Sequence, residues 1–432
     1  MPASVPCPRD PIGPSALVAL AFAGVVFWHL GIPSQIYFDE VHYVAAARKL
    51  LALQFANPEH PLFAKEAMAA AIALFGDRPW AWRLPSALAG AVGLFAFGRA
   101  LWWASRRRFA TLAGMVLLAS NFAWFVQSRI AMLDMVMACL AMVALWLVAA
   151  AIGLPQGTPI WQRRWRLAAT GLCLGLAMGT KWSVLPLVAL VGPGFVAARW
   201  AKAGPRLLED ETAPPAPGIA LMEAVFWLGT LPLLAYWATY LPAFFYHASA
   251  VDPWGMVGWH RYMVGLQSGV VTLHPYQSHW YQWLGNWRPI WYLYEETDGA
   301  WRGILLLGNP FAMLAGLPAL GWCVWAGFWQ QRADALAVLA CFGATLGLWL
   351  LPGKPIQFYY HYLLPGSFLM AALALALDAL WASAKPFWRW LAPVALGIAI
   401  ALFVWFYPII SGAPLAHGRE SFEAWMWLDS WR

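Results

Sequence analysis

Runs of about 20 consecutive apolar residues recur along the whole chain, and a helix of that length is what crosses the hydrocarbon core of a bilayer. Eleven runs are candidates: 15–30, 84–103, 109–125, 135–154, 167–178, 184–198, 219–245, 304–328, 335–351, 362–382 and 391–410, of which the fifth and sixth are short. Lipid offers no partners to backbone amides, so spans of this kind must be helices. The expectation is an all-α polytopic membrane protein with its two ends on opposite sides. Composition supports it: 62% of residues are hydrophobic and 11% charged, whereas a water-soluble domain carries roughly a quarter charged residues. The surplus apolar surface has to face lipid.

The formal charge of +7 is spread over short loops and forms no contiguous basic face, which argues against nucleic acid as a partner. Lys and Arg retained in short loops mark the cytoplasmic side. Arg9, Arg106 to Arg108, Arg163, Arg164, Arg166, Arg199, Lys202, Arg206, Arg332, Lys385 and Arg389 all fall on one side of the eleven-span arrangement. The amino terminus is therefore expected in the cytoplasm, in a multi-pass cell (inner) membrane. The start, "MPASVPCPRD", has one Arg and no small-residue cleavage site after the next apolar run, so that run reads as a retained span. The five cysteines form no CxxC pair and imply neither a disulfide framework nor a zinc site. The chain, 1–432, reads as one integral membrane domain, with 209–217, "EDETAPPAP", as a flexible cytoplasmic linker.

The opposite, extracytoplasmic face holds two long loops, 37–83 and 246–303, and here basic residues mix with Asp, Glu, His, Trp and Tyr. "FDEVHY" places Asp39 and Glu40 ahead of the apolar spacing of Val41, Val44, Leu50, Leu51 and Phe55, which predicts a helix lying along the interface. At its amino terminus the helix dipole favours ionised carboxylates, so two readings stand: a plain cap, or a catalytic carboxylate. "NPEHPLFAKE" presents His60 and Lys65, "WRLPSALAG" presents Arg83, and "QSRIAMLDM" sets Arg129 and Asp134 about a tight turn, as a salt bridge or as part of a site. "GTKWS" puts Lys181 in a turn between two short spans, where an anion would explain it. The second long loop is aromatic around His274, His279 and Arg288, with Asn309 after it. "PGKPIQFYYHYLLP" adds Lys354, Gln357, Tyr359, Tyr360 and His361. Aromatic faces beside fixed donors suit a carbohydrate or lipid-phosphate ligand, and equally a membrane-interface belt. The terminal Trp425, Trp427 and Trp431 have interfacial spacing.

These groups fit a sugar carried on a polyprenyl monophosphate. Its leaving group is an anion of low basicity, so departure needs cations, which Arg129, Lys181, Lys354, Arg83 and His361 supply. Activating an incoming hydroxyl then needs one ionised base, Asp39 or Glu40. A hydrolytic glycosidase instead sets two carboxyls on opposite sides of the sugar. No spacing of His and acidic residues is specific enough to assign a divalent metal.

"FDEVHY", "EHPLFAK", "RLPSALAG", "QSRIAMLD", "GLAMGTKWS", "HPYQSHWYQW", "GNP" and "FYYHYLLP" occur in order, and from Tyr37 to "WMWLDSW" the chain resembles the protein O-mannosyltransferases, above all their bacterial branch. The resemblance implies a type C glycosyltransferase (GT-C) fold with eleven spans and interfacial helices in the first outer loop. It also implies inverting transfer of mannose from polyprenyl phosphate mannose to Ser or Thr of proteins crossing the membrane, including those at a secretion channel. By motif position Asp39 matches the catalytic Asp and Glu40 its partner, and Arg83, Arg129 and Asp134 fall on other motif positions. "HPLFAK" departs from the family by lacking a second Pro, and the 246–303 loop holds no large soluble insert. The alternatives are a transferase using the same donor class on a lipid or cell-envelope glycan, and a transporter. Transporters carry polar groups near the bilayer midplane, whereas the charges here gather at span ends.

Overall fold

The computed structural model describes residues 9–269, 272–351, 356–416 and 418–432. Among the described residues the regular structure is helical apart from one hairpin. In order it forms α1 (Ile12–Phe27), α2 (Glu40–Leu51), α3 (Phe63–Phe75), α4 (Pro79–Ser105), α5 (Arg108–Ala119), α6 (Phe122–Gln127), α7 (Leu133–Ile152) and α8 (Ile160–Met178). There follow α9 (Leu185–Ala203), α10 (Leu221–Val225), α11 (Leu231–Ala238), α12 (Met256–Ser268), α13 (Trp280–Leu284), β1 (Ile290–Thr297) and β2 (Ala300–Leu306). The last four helices are α14 (Pro310–Phe328), α15 (Ala333–Gly347), α16 (Leu363–Trp381) and α17 (Pro386–Ser411).

Each expected span overlaps helical structure, yet among the described residues eight helices, not eleven, are long and apolar enough to cross a membrane. The other three fall short for visible reasons. α1 has 16 residues and α5 has 12, while α8 opens with Gln162, Arg163, Arg164 and Arg166, which interrupts its apolar run. The most enclosed of the eight, Tyr359–Trp381, is the central post of the bundle.

Close approach of α8 to α11 and to the turn Phe226–Thr230 before it depends on Gly171, Gly175 and Gly179, spaced four apart on one face. A Cβ at Gly171 would lie 1.9 Å from the Trp227 carbonyl oxygen, and one at Gly175 2.3 Å from that of Pro232. Small residues at this spacing let helix backbones pack together where lipid provides no hydrophobic drive.

Two features depart from expectation. Residues 304–306, placed at the start of the eighth span, belong to β2, paired antiparallel with β1 in register Thr297↔Ala300. The turn is Asp298-Gly299, both at positive φ, and such a pair flanked by strand-forming residues is a strong hairpin signal. The segment 209–217 is folded back on the bundle. Buried Arg199 donates to the carbonyls of Ala216 at 3.1 Å and Ile219 at 2.8 Å, and Gly218 N donates to Glu211 O at 2.7 Å.

The two long loops pack together, Gln267 donating to Glu59 O at 2.6 Å and His247 N to Leu53 O at 3.0 Å, and the residues just before the first loop join them. Ser34 donates from backbone and hydroxyl to Asp298 at 2.8 and 2.5 Å, and Gln35 bonds Glu295. The terminal segment closes over them: buried Trp431 donates to Asn286 O at 2.6 Å and accepts at its carbonyl from Trp291 Nε1 at 3.0 Å.

Candidate active site

The helix expected after "FDE" is α2, and its start is built by a strained turn. Phe38 sits at φ +50°, an uncommon region for a bulky residue. Its ring stacks on Tyr292 at 4.1 Å, which ties the turn to β1. Asp39 follows at the N-cap position, but its side chain makes no capping hydrogen bond to the helix. The side-chain hydrogen bond of a plain cap is therefore not made. The Asp39 carboxylate bears electrostatically, with Asp134, on Tyr43 and Tyr292; burial first, then these carboxylates, holds both phenols well above their ordinary pKa.

Glu40, one residue on, is enclosed. Arg83 grips it through Nε at 2.8 Å and a terminal nitrogen at 2.9 Å, with both side chains fully buried. Ala131 N at 3.0 Å and Tyr37 N at 3.4 Å complete the carboxylate's set. Arg83 spends its remaining donors on the carbonyls of Leu30, Pro33 and Gln35, and Tyr37 covers it at 4.8 Å. This pair is a layer beneath the site that fixes where α2 begins.

The expected pairing of Arg129 with Asp134 does not form. Arg129 turns to the carbonyls of Val26, Trp28, His29 and Ser411. Asp134, in the first turn of α7, instead holds Lys181, whose Nζ lies 2.8 Å from each carboxylate oxygen. Both are buried, and the ammonium sits 4.6 Å over the Tyr360 ring. A lysine has three donors, so one remains beyond this pair.

Tyr360 continues an aromatic wall. Phe358 stacks on it at 5.3 Å, and exposed His274 meets Phe358 edge-on at 5.1 Å. His361 stacks on Trp349 at 3.9 Å and accepts at Nδ1 from Phe358 N. Asp39, Asp134 and Lys181 thus gather about Tyr360, with His361 beside that ring and His274 reaching the wall through Phe358. Tyr43, Tyr292 and Phe358 belong to this enclosure and were not singled out; the alternation of "WYLYE" in a strand was the available signal.

Other expected residues lie elsewhere. Lys65 is fully buried and clamps its own loop, donating to Asn57 O at 2.6 Å and His60 O at 2.7 Å. Burial lowers its pKa from 10.5 to about 7, against the pull of Glu59 and Glu66, and raises that of Glu66 from 4.5 to about 7. His60 flanks the enclosure through Tyr43, the rings 6.1 Å apart. Asn309 caps α14, accepting from Ala312 N and donating to the carbonyls of Ser120 and Ala399. Lys354 lies outside the described residues. Among the described residues no cluster of His, Cys, Asp and Glu is arranged to hold a metal.

Comparison with known proteins places this geometry. Residues 77–247 match the family model for dolichyl-phosphate-mannose-protein mannosyltransferase, and residues 255–431 that for the C-terminal four-transmembrane region of protein O-mannosyltransferase. A polyprenol-phosphate-mannose–protein mannosyltransferase of Mycolicibacterium smegmatis is 26% identical, aligned over 97% of this chain and 92% of its own. One of Corynebacterium glutamicum is 25% identical over 91% and 88%. In fold, the chain is similar to the Saccharomyces cerevisiae Pmt1-Pmt2 complex bound to the sugar donor (TM-score 0.80, 14% identity, 98% and 93% covered). It is also similar to ArnT of Cupriavidus metallidurans bound to undecaprenyl phosphate (0.54, 16%, 94% and 67%). The fold is that of the GT-C glycosyltransferases. With both halves of the chain matched and the ordered motifs gathered on one face, this protein is a glycosyltransferase of the protein O-mannosyltransferase family, in its bacterial branch.

Proposed function

We propose that the enzyme transfers mannose from polyprenyl phosphate mannose to Ser or Thr hydroxyls of proteins at the extracytoplasmic face, with inversion. The observation that carries this reading is one enclosure shared by the Asp39 carboxylate, the buried Asp134–Lys181 pair and the Tyr43, Tyr292 and Tyr360 rings. Asp39 takes the hydroxyl proton as the acceptor oxygen attacks the anomeric carbon from the face opposite the phosphate. The anomeric carbon–oxygen bond breaks as the new one forms, and polyprenyl phosphate leaves. Lys181, fixed by Asp134, directs its remaining N–H toward the departing phosphate oxygen; a cation held in advance lowers the barrier without reorganising during the reaction. His274 and His361, which flank the aromatic wall, are assigned to the sugar.

Glu40, Arg83 and Arg129 act one layer away, by holding α2 and the Arg129 turn. The enrichment of basic residues at the opposite ends of the helices supports an extracytoplasmic site and a cytoplasmic amino terminus. The test is transfer from labelled polyprenyl phosphate mannose to a Ser/Thr-rich peptide in membranes carrying wild type or Asp39→Asn. The variant is expected to accumulate normally and to transfer nothing; undiminished transfer removes Asp39 from its role. Label entering only lipid would reject the protein acceptor.

A further inference from the structure

A second cationic site lies on the same face, at the ends of α1 and α17, and it shares no lining residue with the enclosure around Asp39. A cavity of about 120 Å³ is lined there by Trp28, His29, Arg129, Arg302, Tyr407 and Gly412, among others. The two arginines come from different parts of the chain and meet at consecutive carbonyls: Arg129 donates to Ser411 O at 3.4 Å and Arg302 to Gly412 O at 2.8 Å. Both are buried, at 6% and 7% exposure.

Carbonyl oxygens satisfy hydrogen bonds but supply no counter-charge, and a buried charge without one is costly. The carboxylates in the neighbourhood are engaged elsewhere. Glu40 is held by Arg83. Asp298 is bonded by Ser34 and feels Arg302 and Arg83 more weakly. The groups bearing on Arg129 are Tyr37, Tyr407 and Arg83, none of them a carboxylate, and burial pulls its guanidinium below its ordinary value. Among the described residues neither Arg129 nor Arg302 has a carboxylate oxygen within salt-bridge distance, and Glu295, opposite Arg302 in the hairpin, is bonded by Gln35. Donors remain as well: Arg129 uses its four terminal N–H groups on carbonyls, leaving Nε–H, and Arg302 makes three of its possible five bonds.

We infer that this cavity binds a phosphate oxyanion through Arg129 and Arg302, at a site separate from the sugar-transfer centre. The unused N–H groups, Nε–H of Arg129 and one on each terminal nitrogen of Arg302, are the donors such an oxyanion would take. Exposed Trp28 and half-buried Tyr407 stand at the ends of apolar helices, where amphipathic aromatics mark the headgroup level. A phospholipid headgroup and a free phosphate offer the same chemistry here. The inference does not depend on the donor or acceptor proposed above.

The test uses purified full-length protein in two settings. In detergent, inorganic phosphate is titrated at constant ionic strength; in nanodiscs, phosphatidylcholine alone is compared with phosphatidylcholine containing phosphatidylglycerol. Melting temperature is the readout, since a ligand that binds only the folded state raises it saturably. Wild type is expected to rise by about 2 °C or more. A response in nanodiscs alone assigns the site to a lipid headgroup, one in detergent alone to a small anion, and one in both to phosphate from either source. Ala413→Glu, which places a carboxylate in the cavity lining, should start at or above the wild-type value and lose the response. Arg302→Gln should lose it without that gain. No saturable rise in either setting, or an equal rise in wild type and both variants, overturns the site.

Discussion

Arg83 and Glu40 form a two-pronged ion pair, 2.8 and 2.9 Å, with neither side chain exposed. One residue before it, Asp39 stands in the aromatic enclosure. Adjacent carboxylates in sequence thus belong to different layers. Removing one partner of a buried pair strands the other charge, at about 3–5 kcal/mol. Glu40→Gln and Arg83→Met are therefore expected to reduce the folded protein recovered from membranes, as read by size-exclusion chromatography. Asp39→Asn should not.

The Asp134–Lys181 pair separates structural from chemical roles. Asp134→Leu or Lys181→Met alone leaves a buried charge and should lower melting temperature, by the same physics. The double variant removes both charges and is expected to recover much of that loss while transfer stays absent. Recovered transfer in the double variant would show that the pair serves the fold alone.

Lys65 and Glu66 predict a pH dependence in two limbs. The raised pKa of Glu66 contributes stability that is fully present below pH 4.5 and lost as pH rises through about 7. The lowered pKa of Lys65 contributes stability that is present above pH 10.5 and lost as pH falls through about 7. Melting temperature should therefore pass through a minimum near pH 7. Glu66→Gln should flatten the acid limb and Lys65→Met the alkaline one; an unchanged profile in both would refute the assignment.

Gly171→Ala adds a methyl group that would meet the Trp227 carbonyl oxygen at 1.9 Å. Overpacking of this kind costs about 1–3 kcal/mol. Thermal inactivation in detergent should be faster than in wild type, whereas Gly194→Ala, with open space at its Cβ, should behave as wild type.

The sequence by itself determined the class of fold. Apolar runs must become helices in lipid because nothing else satisfies their backbone, and the ordered motifs identified the family. The lengths of those helices were less legible: α5 stops at Ala119 and α6 starts at Phe122 inside one apolar run, with Asn121 capping α6 through its contact to Ala123 N. Periodicity alone does not register such a break. The Asp298-Gly299 turn was visible in sequence, yet the apolar strand β2 reads like the start of a span.

Only the tertiary structure decided how the charges pair. Arg129 and Asp134 are near in sequence, but the partner of Asp134 is Lys181, 47 residues away, and Arg129 turns to the ends of α1 and α17. Spacing along a chain limits which side chains can meet. It does not say which burial is least costly, because a buried charge takes its partners from whatever the packing brings within reach. Asp39 and Glu40 carry the same chemistry in sequence, and packing set one in the enclosure and the other beneath it.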